Sequence, residues 1–311
     1  MEDLNKERRG EIWAIGGAKG GTGKTFLTSS MGTYLALQEK RVVLIDVDLG
    51  GANLHSFLGI RRPKKSLTNF FEMKTPLNRL LIKTNIGNMS LITGDIHSLS
   101  SDNIRFTQKL KLFRHIMKLN TNYALIDLGG GSHKNTIDTF LTADKMIAIL
   151  EPEITAIENL YHFVKNALFR KVRMVLRAHG FKEMLEHVWE RREKYRIKNL
   201  KELIDWLKDS FSYIEEILDA ELSDFSIYIV LNKIRTTQDI AMGTSLKSVL
   251  MKYLGIKTKY VGYIEYDDSI WRSIRNGRPY MVNYASTPCA REIETITENL
   301  IEGKEIKILK G

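Results

Sequence analysis

The stretch Lys19-Gly20-Gly21-Thr22-Gly23-Lys24-Thr25 constrains this chain most, because glycines at 20, 21 and 23 are poor material for a strand or a helix interior. It follows the apolar run Ile12-Trp13-Ala14-Ile15 and precedes a helix-like stretch from Phe26 to Leu37, so it reads as a strand-to-helix turn. Glycines let such a turn curl until successive N–H groups point inward, and the new helix adds its positive end. The product is a phosphate cradle. In the pattern G-x-x-x-x-G-K-[ST] the lysine reaches the β- and γ-phosphates and the hydroxyl serves Mg²⁺, roles that fall here to Lys24 and Thr25. Ala18 stands where the pattern has its first glycine. Gly20, Gly21, Thr22, Gly23 and Phe26 complete the expected nucleotide-binding set around the turn.

Two further strands deliver carboxylates. Val42-Val43-Leu44-Ile45 is short, apolar and β-branched, as a buried parallel strand is, and it leads into Asp46 and Asp48. Tyr123-Ala124-Leu125-Ile126 leads into Asp127 and then Leu128-Gly129-Gly130-Gly131, an acid followed by a loop free to move. Acids after strands are common turn formers. In an open α/β sheet, however, ligands bind at the strands' carboxyl edge, where these acids can meet Mg²⁺ and phosphate. Asp127 is the expected Mg²⁺ ligand through a water. Further strands are expected at Met89–Gly94, Lys145–Leu150, Ile227–Leu231 and Tyr260–Ile264. Helices are expected at 104–119, Thr155–Phe169, around Ile270, Trp271 and Ile274, and at Glu292–Ile301 before Gly303.

With Lys19 at its head, K-G-G-x-G-K-T resembles the deviant P-loop of the MinD/ParA family of ATPases. The resemblance implies that Lys19 reaches across a homodimer interface to the partner's ATP, where a second cation would stabilise charge spreading during transfer. Asp46-Val47-Asp48-Leu49-Gly50-Gly51-Ala52-Asn53-Leu54 resembles switch I of MinD and FlhG rather than the D-x-D-P-Q form of plasmid-partition proteins. By that likeness Asp48 orients the attacking water, Asp46 stands in the metal's outer shell, and the 129–131 loop is switch II. It also implies that Asn232, after the strand at 227–231, hydrogen-bonds adenine, with Glu265 and Tyr266 beside the base. The family often has proline where Glu265 stands, and the chain lacks the D-Q-A-x-x-L-R motif of FlhG.

The fold expected over 1–311 is a single P-loop α/β domain, a doubly wound and mostly parallel sheet flanked by helices. Residues 170–224 read as a helical insertion, with Arg170, Lys171, Arg173 and Arg177 first and then an apolar stripe at Leu200, Leu203, Ile204, Leu207 and Phe211. A net charge of +10 favours acidic partner surfaces such as non-specific DNA or an anionic membrane. Cys289 is the only cysteine, which excludes an internal disulfide and paired-cysteine metal carriage within one chain. No apolar stretch approaches the ~18 residues of a membrane span. The tail 304–310 alternates charged and apolar residues unlike an interfacial helix. The expected location is cytoplasmic, peripheral to membrane or nucleoid. The function expected is an ATP-dependent, Mg²⁺-dependent dimerising switch answering to a protein activator and positioning a cellular assembly such as the flagellum. A ParA-like DNA-binding partition ATPase is the alternative, and an ATP-dependent metabolic ligase of related fold is a third.

Overall fold

The computed structural model describes residues 10–48, 51–94 and 106–306. Most of the charged N-terminal segment, Leu49 and Gly50 of the segment likened to switch I, the start of the helix expected from 104, and the end of the tail lie outside the described residues.

Eight strands form one sheet: β1 Glu11–Gly16, β2 Val42–Asp46, β3 Ile82–Lys83, β4 Met89–Ile92, β5 Tyr123–Asp127, β6 Lys145–Leu150, β7 Ser226–Ile234 and β8 Lys257–Glu265. Their order is β3-β4-β2-β5-β1-β6-β7-β8, with only β3 antiparallel to its neighbour. Apolar, β-branched runs such as Val42–Ile45 leave no polar face, so both faces must be covered by helices. Side chains alternate accordingly: Ile12 and Ala14 join one buried cluster, Trp13 and Ile15 the other.

On the second face lie α1 Lys24–Leu37, the short α2 Leu54–Phe57, α12 Tyr280–Asn283 and α13 Pro288–Glu302; α3 Leu67–Phe71 packs near the opposite edge. The first face carries α4 Phe106–Ile116, α5 Lys134–Phe140, α6 Ile154–Ala178, α7 Lys182–Glu190, α8 Leu200–Ser210, α9 Ser212–Leu222 and α10 Thr237–Leu254. The last helix to place, α11 Ser269–Asn276, follows β8.

The two largest boundary differences from expectation are in helices. Helix α6 runs nine residues past Phe169, because Val172, Val175 and Leu176 continue its apolar face beneath the arginines. Helix α13 begins at Pro288, where the Thr287 hydroxyl caps the Ala290 N–H at 3.2 Å and proline suits the first turn. In 170–224 the expected stripe is real through Leu207, while Phe211 lies just past α8 as its C-cap. Leu185, Leu203, Leu207, Ile214 and Leu218 are buried in the same cluster as the sheet's first face. This segment therefore packs on its own sheet.

Candidate functional site

Strand order places β1 between β5 and β6. The chain leaves β1 toward β2 on one side and later returns past it to β6 on the other, opening a crevice at the carboxyl edge. The glycine loop rises into this crevice. Gly21 and Gly23 hold φ of 78° and 97°, and Gly23 caps α1. A Cβ on Gly23 would lie 2.2 Å from Asn232 Nδ2, so both backbone and space demand glycine. Asn232 donates Nδ2–H to the Thr22 carbonyl at 2.8 Å, and Lys233 donates to the Gly21 carbonyl at 3.3 Å while pairing with Glu151 at 2.7 Å. The loop is thus pinned to β7.

Lys24 is buried and donates Nζ–H to the Lys19 carbonyl at 2.9 Å, folding back over its own loop. Burial pushes its ammonium below the usual lysine range, while Asp127 and Asp48 pull it back up. Lys19 is half-exposed, with its ammonium 3.5 Å from Glu153. An exposed pair of that kind holds weakly and is easily exchanged.

Asp46 and Asp127 end neighbouring strands and are register partners. Asp46 is fully buried and accepts the N–H groups of Asp48 at 3.0 Å and Leu54 at 3.1 Å, which fixes the start of α2. Burial raises both carboxyls; Asp48 raises Asp46 further while the N–H groups of Leu54 and Asp48 oppose it, and Asp46 and Asp48 raise Asp127 further while the Thr25 hydroxyl, donating to Asp127, opposes it. Asp127 Oδ1 is buried and has no hydrogen-bond partner. Asp48 lies against the loop after β5: a Cβ on Gly129 would fall 3.1 Å from its Cγ.

An orphaned carboxylate oxygen beside a hydroxyl and a second buried acid fits a divalent cation. No group of three or more His, Cys, Asp or Glu gathers into a protein cage among the described residues. Mg²⁺ takes one or two carboxylates together with phosphate oxygens and water, a ligand set of the kind that Asp127 and the Thr25 hydroxyl beside it offer.

Beside the loop opens a cavity of about 350 Å³. Phe26, Asn232, Glu265 and Tyr266, all expected from sequence, line it. Asn232 sits within β7 rather than after it, and its Oδ1 is buried without a partner, leaving an acceptor for a base amino group. The Glu265 N–H, which a proline would lack, donates to Glu292 Oε2 at 2.9 Å. Sequence reasoning missed Phe57, Ile270, Trp271 and Ile274 as walls of this cavity. The available signal was apolar residues on a short helix next to Glu265 and Tyr266.

Residues 13–280 match the CobQ/CobB/MinD/ParA nucleotide binding domain. The chain belongs to this family. Among its MinD/ParA relatives, the septum site-determining protein MinD of Bacillus subtilis is 29% identical over 151 residues, 48% of this chain and 56% of the relative. The antiactivator FleN of Pseudomonas aeruginosa is 25% identical over 167 residues, 53% of this chain and 59% of the relative. The chain thus spans little more than half the length of the curated relatives it matches. The MinD fold extends further than the sequence likeness. A chain of the Aquifex aeolicus MinC:MinD cell division protein complex covers 96% of this chain and 98% of its own at TM-score 0.63 and 20% identity. MinD of Pyrococcus horikoshii, complexed with Mg-ADP, covers 96% and 99% at 0.60 and 19%. At such identities the likeness establishes the fold.

Proposed function

We propose that this chain is an ATP-dependent dimerising switch of the MinD/FlhG-like kind, hydrolysing ATP slowly and positioning or regulating a cellular assembly, of which the flagellum is one example. One observation carries the reading: a two-lysine glycine loop and three acids, Asp46, Asp48 and Asp127, converge at one edge of the sheet, with the second lysine at the loop's exposed head.

The triphosphate lies along the N–H groups of Gly20 to Thr25, and Lys24 exchanges the Lys19 carbonyl for phosphate oxygens. Adenine enters the cavity against Asn232 Oδ1, with Phe26, Glu265 and Tyr266 around it. Thr25 and Asp127 would hold Mg²⁺, with Asp46 behind them, and a bound cation would neutralise phosphate charge. Asp48, close to Lys24 and Gly129, orients the attacking water. Lys19 leaves Glu153 and extends to the nucleotide of a second copy, joining two protomers until hydrolysis releases them. A protein activator sets the rate, and an anionic membrane or the nucleoid is the docking surface.

Light scattering with and without Mg-ATP tests this on the native chain and two variants. Lys24→Ala neither binds nucleotide nor dimerises; Asp48→Ala dimerises and stays so. An Asp48→Ala chain that remains monomeric with ATP would overturn the mechanism.

The net charge of +10 favours a second reading, ATP-dependent coating of DNA. It requires DNA affinity that rises with ATP and falls steeply with salt. An ATP-dependent ligase would need a second substrate pocket and fast turnover.

A further inference from the structure

The first face of the sheet carries a cationic groove that the nucleotide does not use. Two adjoining cavities of about 250 and 530 Å³ share Lys134, Arg170 and Arg173. They run from Ser132, just past Gly131, along the C-terminal half of α6 to Lys182 at the start of α7. Arg170, Arg173 and Arg177 recur at intervals of three and four residues, so one helix face presents all three. Ile137, Phe169 and Met174 supply apolar wall.

The charges there are unevenly matched. Arg170 forks onto the buried Asp138 at 2.7 and 3.3 Å, which locks its guanidinium in place. Glu186 is shared between Arg173 at 2.5 Å and Lys182 at 3.9 Å. Lys134 and Arg177 are exposed and have no ion-pair partner among the described residues. Lys109 lies buried behind this wall with its Nζ on Asn135, adding another positive charge.

We propose that this groove docks an acidic, amphipathic segment of a partner protein. Carboxylates meet Lys134, Arg177 and the outer edges of Arg173 and Lys182, where guanidinium forks suit carboxylate geometry. An apolar side chain of the same segment enters between Ile137, Phe169 and Met174. Duplex DNA fits this place poorly. It asks for a basic surface of about 1,000 Å² or more facing a row of phosphates. Here the site is concave, partly apolar, and two of its three arginines already turn toward carboxylates of the chain itself.

The test measures anisotropy of three labelled probes against the full nucleotide-free chain: a random glutamate–tyrosine copolymer, a mixed-sequence DNA duplex, and phosphatidylglycerol vesicles. Lys134→Ala/Arg177→Ala removes two exposed, unpaired cations and keeps the fold, which circular dichroism verifies. The copolymer binds the native chain, loosens with salt, and binds the variant about five- to ten-fold more weakly. No copolymer binding, equal binding to the variant, or DNA or vesicle binding that the variant alone loses would each overturn the proposal. Because nucleotide is absent, the result does not depend on whether ATP joins two copies. That the occupant is also the activator does rest on the proposed switch, since the groove starts beside the 129–131 loop. Copolymer-stimulated ATP hydrolysis in the native chain but not in the variant supports that role, and its absence in both refutes it.

Discussion

Gly59 and Gly277 meet backbone to backbone: a Cβ built on Gly59 would lie 2.0 Å from the Gly277 carbonyl oxygen. The contact joins the two sides of the nucleotide site. Gly59 follows α2, whose first N–H is held by Asp46 and whose Phe57 lines the cavity beside the glycine loop; Gly277 ends α11, which brings Trp271 to the same cavity.

Both glycines are left-handed, at φ of 69° and 61°, yet their replacement by alanine should differ. At Gly277 the nearest atom to a new Cβ is 3.5 Å away, so Gly277→Ala costs only the conformational penalty, about 1 kcal/mol. Gly59→Ala adds a clash with backbone that cannot rotate aside and should cost about 2–4 kcal/mol. Urea unfolding of the two variants measures the gap. Equal losses would deny the close approach.

Trp271 is 51% exposed although it lines the cavity beside the glycine loop, an arrangement that leaves an indole face available for stacking on the proposed base. Filling the cavity with adenine should shift tryptophan emission, and Trp271→Phe should remove that shift. The other three tryptophans lie elsewhere, Trp13 fully buried in the core and Trp189 and Trp206 in the α7–α8 region. Trp271→Ala should weaken ATP binding about three- to ten-fold, the loss of one aromatic contact. Calorimetry that finds ATP affinity unchanged in Trp271→Ala would place the base elsewhere.

How much of this was legible follows the range of each interaction. The loop, the strands on either side and the acids Asp46 and Asp127 come from local patterns: glycines where backbone must turn, unbroken apolar runs where both faces are buried. The full length of α6 was not legible because the charges at 170, 171, 173 and 177 interrupt its apolar run, although Val172, Val175 and Leu176 keep the helical period beneath them. The cavity beside the loop was half legible, since Phe57 and Trp271 are separated by more than two hundred residues and only the sheet brings them together. The Lys19–Glu153 and Gly59–Gly277 contacts also join residues more than a hundred positions apart and leave no local trace.

Glu292 should make stability depend on pH near neutrality. Burial, with Glu265 and Asp267 nearby, raises its carboxyl from 4.5 to about 7, although the Glu265 N–H pulls the other way. The folded chain therefore keeps a proton that the unfolded chain has lost across that interval. Stability falls as pH rises through it and levels off above about 7. Allowing for partial exposure, the change is about 1–2 kcal/mol. Glu292→Gln keeps an acceptor for Glu265 and should reduce this slope, seen as a smaller difference in urea midpoints between about pH 5 and about pH 8, with the raised carboxyl of Asp46 leaving a remainder. A native-like slope in the variant would assign the effect to another group.

Asp127 and Asp46 are neighbouring buried acids, and their different partners predict opposite responses to neutralisation. Asp46 spends its oxygens on the N–H groups of Asp48 and Leu54, so Asp46→Asn replaces one acceptor by a donor facing an N–H and should destabilise the nucleotide-free chain by about 1–3 kcal/mol. Asp127 Oδ1 accepts nothing, and the carboxyl is disfavoured as an ion by burial and by Asp46. Asp127→Asn should therefore stabilise the nucleotide-free chain at neutral pH by about 1–2 kcal/mol. The same variant should lose the difference in ATP affinity between Mg²⁺ and EDTA, because the oxygen it converts is the one free to face a cation. Thermal unfolding without nucleotide and ATP titrations in both buffers measure the two effects. If Asp127→Asn is as destabilising as Asp46→Asn and its ATP binding still responds to Mg²⁺, then Asp127 is a structural anchor and the cation is held elsewhere.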